Sequence, residues 1–311
     1  MRTSSLDSAW WTLTVVLALA GGGNHKNGPV AQVSAQGNAS CPTTVQLAVG
    51  GASSLDALYT LLVAEDCGTN STSFISVEWS GTVEVNRTIV VPSGVNLTVS
   101  GEGYYTYYYN GSEAITASSS SSKQSLNDLS RDDDGDIERT MASVIRGDGS
   151  VRLFSVEPDG ILYLSGMTLQ NGWGGDEGGG GIHADDRATV VGDNCRWEFL
   201  AAGTGGAIAT DPGVTLTLKG TNVFSGCYST GTAGGAIYLS NTMASAQGQL
   251  LFDNCSASGM GGGLYMMSTS LLTIAEAASI SFSGCTTGSV MGDNGGGLCS
   301  YDSAIMVGPN A

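Results

Sequence analysis

Gly205-Gly206-Ala207-Ile208, met again as Gly234-Gly235-Ala236-Ile237, decides the fold of this chain. The same run of small residues leading into an aliphatic one stands at Gly179-Gly180-Gly181-Ile182, Gly261-Gly262-Gly263-Leu264 and Gly295-Gly296-Gly297-Leu298, and the aliphatic positions step by 26, 29, 27 and 34 residues. Upstream of these clusters recur Asp193-Asn194-Cys195, Phe224-Ser225-Gly226-Cys227, Phe252-Asp253-Asn254-Cys255 and Phe282-Ser283-Gly284-Cys285. Two motifs in one order at one period mark a solenoid, in which each repeat covers the open face of its neighbour.

Between the motifs lie short alternating runs such as Thr215-Leu216-Thr217-Leu218, Leu272-Thr273-Ile274 and Ile280-Ser281-Phe282. Their period of two puts the apolar side chains on one face, as half-buried strands require. No capped pattern of helical period separates them, so they are not crossover units of a layered α/β sheet. The fold expected is all-β: a right-handed parallel β-helix whose coils hydrogen-bond to one another at about 4.8 Å, with glycines at the corners. The pattern reaches back through Ile161-Leu162-Tyr163-Leu164, Val95-Asn96-Leu97-Thr98-Val99 and Val83-Glu84-Val85, so the coils span 75–311.

Ahead of them, Ser53-Ser54 followed by Leu55, Leu58, Leu61 and Leu62 has helical spacing behind an N-cap signal, and a short amphipathic helix there would cover the end of the core. Residues 21–74 therefore read as a linker and helical cap. The segment 104–141, with its Tyr104 to Tyr109 run, Ser118 to Ser122 and Asp132 to Asp134, breaks the strand pattern and reads as an inserted disordered loop. Residues 1–20 carry Arg2, an apolar run from Trp10 and the small-residue ending Ala18-Leu19-Ala20, the signature of a cleaved signal peptide. An apolar run of about eleven residues is too short to span roughly 30 Å of hydrocarbon, and no later stretch has the length of a transmembrane helix. At the other end Ser303-Ala304-Ile305-Met306-Val307 opens another strand, so the chain is expected to end in mid-coil as a piece of a longer β-helix.

The composition agrees with an elongated domain outside the cell. In 311 residues, 41% are hydrophobic and only 13% charged, yet Asp and Glu outnumber Lys and Arg by 28 to 11, for a net charge of -17. Such a surface excludes nucleic acid as a partner, because phosphates need a basic face. Secretion gives meaning to the Asn-x-Ser/Thr sequons at Asn38, Asn70, Asn86, Asn96 and Asn110, and less to that at Asn254, whose middle residue is Cys255. An oxidising compartment would pair some of the 7 cysteines, and Cys41 with Cys67 is the leading candidate for a bridge. Cys195, Cys227, Cys255 and Cys285 are expected to stack along the cylinder, either bridged or as a column of buried thiols. The shared direction of stacked side chains favours the thiols.

With these motifs in hand, the repeat resembles that of the polymorphic outer membrane proteins, first known from chlamydial adhesins, within the pectin-lyase-like β-helix superfamily. The Gly-Gly-Ala-Ile half matches at Gly205 to Ile208 and Gly234 to Ile237. The Phe-x-x-Asn half departs, since Cys227, Cys255 and Cys285 stand where that family places Asn. The resemblance covers about residues 75–311 and implies a passenger used in adhesion or surface display; the family's C-terminal barrel has no counterpart here.

Pectin-lyase-like helices also host lyases, hydrolases and epimerases, so an enzyme is the alternative. Those chemistries need carboxylates, or calcium with a basic residue, converging on a groove. The best local candidates are His183, Asp185, Asp186 and Arg187; alternation would put His183, Asp185 and Arg187 on one face, with only Asp211 and Asn241 at the same register in the next coils. No cofactor motif is found. Asp132 to Asp136 fails as a calcium loop, because Gly135 comes too early and Ser143 stands at the closing position. Asp176-Glu177 and Asp293-Asn294 are acidic corners that could hold calcium. Arg146-Gly147-Asp148 spells an integrin tripeptide but lies where a strand meets a turn, and the tyrosine run could stack on sugar rings. The leading reading is a non-enzymatic, adhesin-like or wall-associated protein binding an extracellular glycan or protein.

Overall fold

A computed structural model describes residues 11–17, 31–38, 41–49, most of 55–62, 73–79, 81–101, 104–108, 114–118, 143–288 and 295–309. Among these the chain is a parallel β-helix, each turn adding strands to rows that run along the cylinder. The first row follows the glycine clusters: Phe154–Val156, Ile182–Ala184, Ile208–Thr210, Ile237–Ser240, Leu264–Met267 and Leu298–Ser300, with Ile182, Ile208, Ile237, Leu264 and Leu298 in register. The second row includes Val95–Gly101, Ile161–Ser165, Thr189–Asp193 and Leu271–Ile274. Ser143–Gly147, Met167–Gln170, Arg196–Glu198 and Ser279–Ser283 belong to the third. Thr215–Ser225 and Met243–Asp253 are long enough to serve both rows and weld them into one sheet. Ala201–Thr204, Tyr228–Ala233, Ser256–Ala257 and Thr286–Thr287 form the fourth.

The two glycines of each cluster are there for different reasons. Gly179, Gly205, Gly234, Gly261 and Gly295 turn the corner at φ of 51–66°, a conformation that a Cβ makes costly. Their successors Gly180, Gly206, Gly235 and Gly262 face carbonyl oxygens of neighbouring turns so closely that a Cβ would collide with them. The third position, Gly181, Ala207, Ala236, Gly263 and Gly297, is small because the core's largest side chains lie against it: Trp197 and Leu200 meet Gly181, and Phe282 meets Gly263 and Gly297. Those aromatics form a ladder. Trp197, Phe224, Phe252 and Phe282 stack with centroids 5.5, 4.9 and 4.8 Å apart, one ring per turn.

The ladder corrects the expected cysteine column. Arg196 pairs with Val223 and Trp197 with Phe224, so Trp197-Glu198-Phe199-Leu200, and not Asp193-Asn194-Cys195, is the repeat of Phe224-Ser225-Gly226-Cys227. Cys195 therefore occupies a different corner from Cys227, Cys255 and Cys285, which stack above Leu200. Each of these three thiols donates to a main-chain carbonyl one turn below: Cys227 to Trp197 (3.3 Å), Cys255 to Phe224 (3.5 Å) and Cys285 to Phe252 (3.6 Å). All are free, as are Cys195 and Cys299. Burial pushes the Cys195 thiol up to about 12, and the hydrogen bond with Cys227 raises that of Cys255. Because the thiolate is the nucleophile, alkylation of native protein at mildly alkaline pH is expected to spare Cys195 and Cys255, both buried. The same reagent in denaturant is expected to label them, as peptide mass spectrometry would read.

Toward the N-terminus, residues 55–62 include helical turns whose Leu55, Leu58, Tyr59 and Leu62 are buried in the common core, as the leucine spacing anticipated. Arg87 holds this cap in place, its guanidinium 3.6 Å from the centre of the Tyr59 ring and 3.0 Å from Asp56. The second row continues beyond Ser73–Trp79 to Cys41–Val49, a parallel pair, and then adds Ala31–Asn38 and Trp11–Leu17 antiparallel. Inside 104–141, Tyr104–Tyr108 pairs antiparallel with Ala114–Ser118. That segment leaves the helix at Gly101, the end of a second-row strand, and returns at Ser143, the start of a third-row strand, so it is inserted at a single corner. Cys67, Asn70, Asn110, Asp132 to Asp136 and Asp293-Asn294 lie outside the described residues. No helix among those described is long and apolar enough to cross a membrane.

Candidate functional site

Where the third row turns into the fourth, one residue per turn adopts a left-handed conformation. Down the column it is Asn171, Phe199, Gly226, Asn254 and Gly284, at φ of 54, 52, 60, 51 and 61°. Asn and Gly accept that geometry; a phenylalanine there is strained by roughly 1–3 kcal/mol, and bulky outliers of this kind gather at functional sites. Phe199 gains little burial in return, being 60% exposed. Its ring lies across the next corner, where any side chain at Gly226 would meet it.

Two residues on, the column reads Trp173, Ala201, Tyr228, each a turn above the last. Trp173 and Tyr228 thus stand two strand spacings apart, about 10 Å, with only a methyl group between them. Together with Phe199, Asp148 and Asn171 they line an open groove of about 340 Å³. Ser150 donates to Asp148 from its hydroxyl (2.6 Å) and its backbone N–H (2.8 Å), which holds that carboxyl below the usual range and keeps it an acceptor. In the Arg146-Gly147-Asp148 tripeptide, Arg146 lies along the third row with its guanidinium on Gln170 (3.0 and 3.1 Å), while Asp148 accepts from Ser150.

The second candidate is the His183 cluster, which the structure divides. His183 lies in Ile182–Ala184, and its Nε2 is 3.0 Å from Asp185 and 3.7 Å from Asp211 of the next turn. Alternation ends with the strand at Ala184, so Arg187 does not join them as expected. It takes a φ of 61° in the corner and swings to Asp159, with bonds of 3.0 Å, and to Asp186. That pairing lowers the Asp159 pKa and raises that of Arg187. The imidazole and two carboxylates that remain are a set of metal ligands, while Arg187, the basic residue an eliminative step would draw on, is turned away from them.

The remaining sequence candidates are scattered. Asn86 and Asn254 are exposed, Asn96 is half-buried within a second-row strand, and Asn38 ends Ala31–Asn38. Glu177 pairs with Arg152 at 3.4 Å. Sequence reasoning missed the aromatic groove, because Phe199 is anomalous only once Trp197-Glu198-Phe199-Leu200 is set in register with Phe224-Ser225-Gly226-Cys227.

Compared with family models, with curated proteins and with solved structures, the chain matches none. Fold and site define it as a parallel β-helix protein with an open aromatic groove on one corner.

Proposed function

We propose that this is a non-enzymatic extracellular β-helix that binds a glycan in the groove of Trp173, Phe199 and Tyr228. The strained, exposed Phe199 carries the reading: a residue that costs the fold energy and fills no core is retained for what it touches. Flat apolar faces two turns apart, flanked by the Asp148 carboxylate and the Asn171 amide, suit a sugar ring, which offers C–H faces to aromatic rings and hydroxyls to acceptors. With a net charge of -17, the partner is a neutral glycan rather than an acidic one. The resemblance to adhesin repeats and the signal-like residues 1–20 support placement at or outside a cell surface.

The test is binding of the purified protein to immobilised neutral and acidic glycans. Tyr228→Ala is expected to weaken binding by about tenfold, the loss of one stacking partner worth about 1.4 kcal/mol, while Asp185→Ala leaves it unchanged. Phe199→Asn is expected to weaken binding and to leave the melting temperature at or above that of the parent, since Asn171 and Asn254 hold the same corner. Failure of the parent protein to bind any neutral glycan, or binding unaltered in Tyr228→Ala, would overturn the reading.

A further inference from the structure

We infer that His183, Asp185 and Asp211 form a binding site for a divalent transition-metal ion that ties two neighbouring turns together. The three ligand atoms, one imidazole nitrogen and two carboxylate oxygens, all lie within 4.8 Å of one another. Ligands of a tetrahedral zinc ion, at bonds of about 2.1 Å, sit about 3.4 Å apart, so the separations of 3.0 and 3.7 Å from Nε2 need only small side-chain adjustments.

The backbone holds the set in place. The Asp185 N–H donates to Val156 and that of Asp211 to Ala184, each at 2.9 Å, which stacks the two aspartates on consecutive turns. Like charges directly opposite each other on neighbouring strands repel. The nearest arginine in sequence, Arg187, is already committed to Asp159 and Asp186. A bound cation relieves that repulsion. His183 supplies a second, independent indication: its side chain is only 12% exposed, with Nε2 aimed at the carboxylates. Its Nδ1 is buried with no hydrogen-bond partner among the described residues, so Nε2 is the ring atom presented to a ligand. With metal at Nε2, Nδ1 has no protein acceptor, which weakens binding by about 10–100-fold relative to a site whose histidine is held from behind. Asp211, half exposed, leaves a path from solvent. An imidazole among the ligands selects zinc, cobalt or nickel over calcium, which takes six to eight oxygens.

Calorimetric titration of the chelator-treated, full-length protein with zinc chloride tests this. One equivalent is expected to bind with micromolar affinity, to be undisturbed by excess calcium and to raise the melting temperature. His183→Gln and Asp211→Asn are each expected to reduce the affinity at least tenfold, and Asp186→Asn, whose carboxylate faces Arg187, to leave it unchanged. Cobalt in place of zinc is expected to give a visible absorption band that His183→Gln abolishes. Far-UV circular dichroism of each variant shows whether it has folded. Equal zinc affinity in folded His183→Gln, equal loss in Asp186→Asn, or binding of calcium but not zinc would overturn the inference.

Discussion

Replacing Phe252 with alanine is expected to lower the stability of the β-helix by about 3–5 kcal/mol, more than any other single truncation in the ladder. Phe252 is the ring with an aromatic neighbour on both sides at less than 5 Å, Phe224 at 4.9 Å below and Phe282 at 4.8 Å above. Its loss opens a cavity between two turns whose backbones are held at a fixed spacing by their ladder of hydrogen bonds, so the walls cannot close on it. Phe282 is less deeply buried, and Phe282→Ala is expected to cost less. Urea unfolding of the two variants, compared at equal slope, measures the difference. An equal midpoint for Phe252→Ala and the parent would show that the ladder does not support the fold.

Gly235→Ala is expected to prevent folding altogether. A Cβ there would enter the carbonyl oxygens of Gly262 and Ser256. Neither can retreat, because the Gly235 N–H donates to Gly261 and the Ala236 N–H to Gly263, both at 2.9 Å. Gly149→Ala makes the matching control. Gly149 also has a positive φ, 83°, but nothing lies within 4 Å of the added methyl group. That variant is expected to pay only the left-handed strain, about 1–2 kcal/mol, and to remain soluble with an unchanged β-sheet spectrum. Soluble, cooperatively unfolding Gly235→Ala protein would refute the close packing of turns.

The fold was legible because its determinants recur. A glycine pair before Ile208 and Ile237, and a phenylalanine before Cys227 and Cys255, each repeat the same steric demand at one period, and alternation in Thr215 to Leu218 shows which face is buried. The helical cap could be read for the same reason, from leucines at helical spacing. The sites were not legible, because they are exceptions to the repeat. Asp193-Asn194-Cys195 imitates the corner motif but sits one corner early, which displaced Cys195 in the reading and hid Phe199. His183 and Asp185 do meet, but alternation could not show that the strand ends at Ala184 and that the turn after it throws Arg187 back toward Asp159. That depends on one left-handed residue, which an arginine does not announce.

Apart from the insertion at 104–141, part of the variation in repeat length falls on the fourth row. Ala201–Thr204 is followed a turn later by the longer Tyr228–Ala233, with a shift of register after Ala202, while Ile208 and Ile237 stay aligned. The fourth row can thus absorb additional residues without moving the stacked interior, and it forms one bank of the groove. Sequence drift or deliberate grafting of foreign peptides at that bank would reshape what the molecule recognises while the scaffold beneath stays untouched.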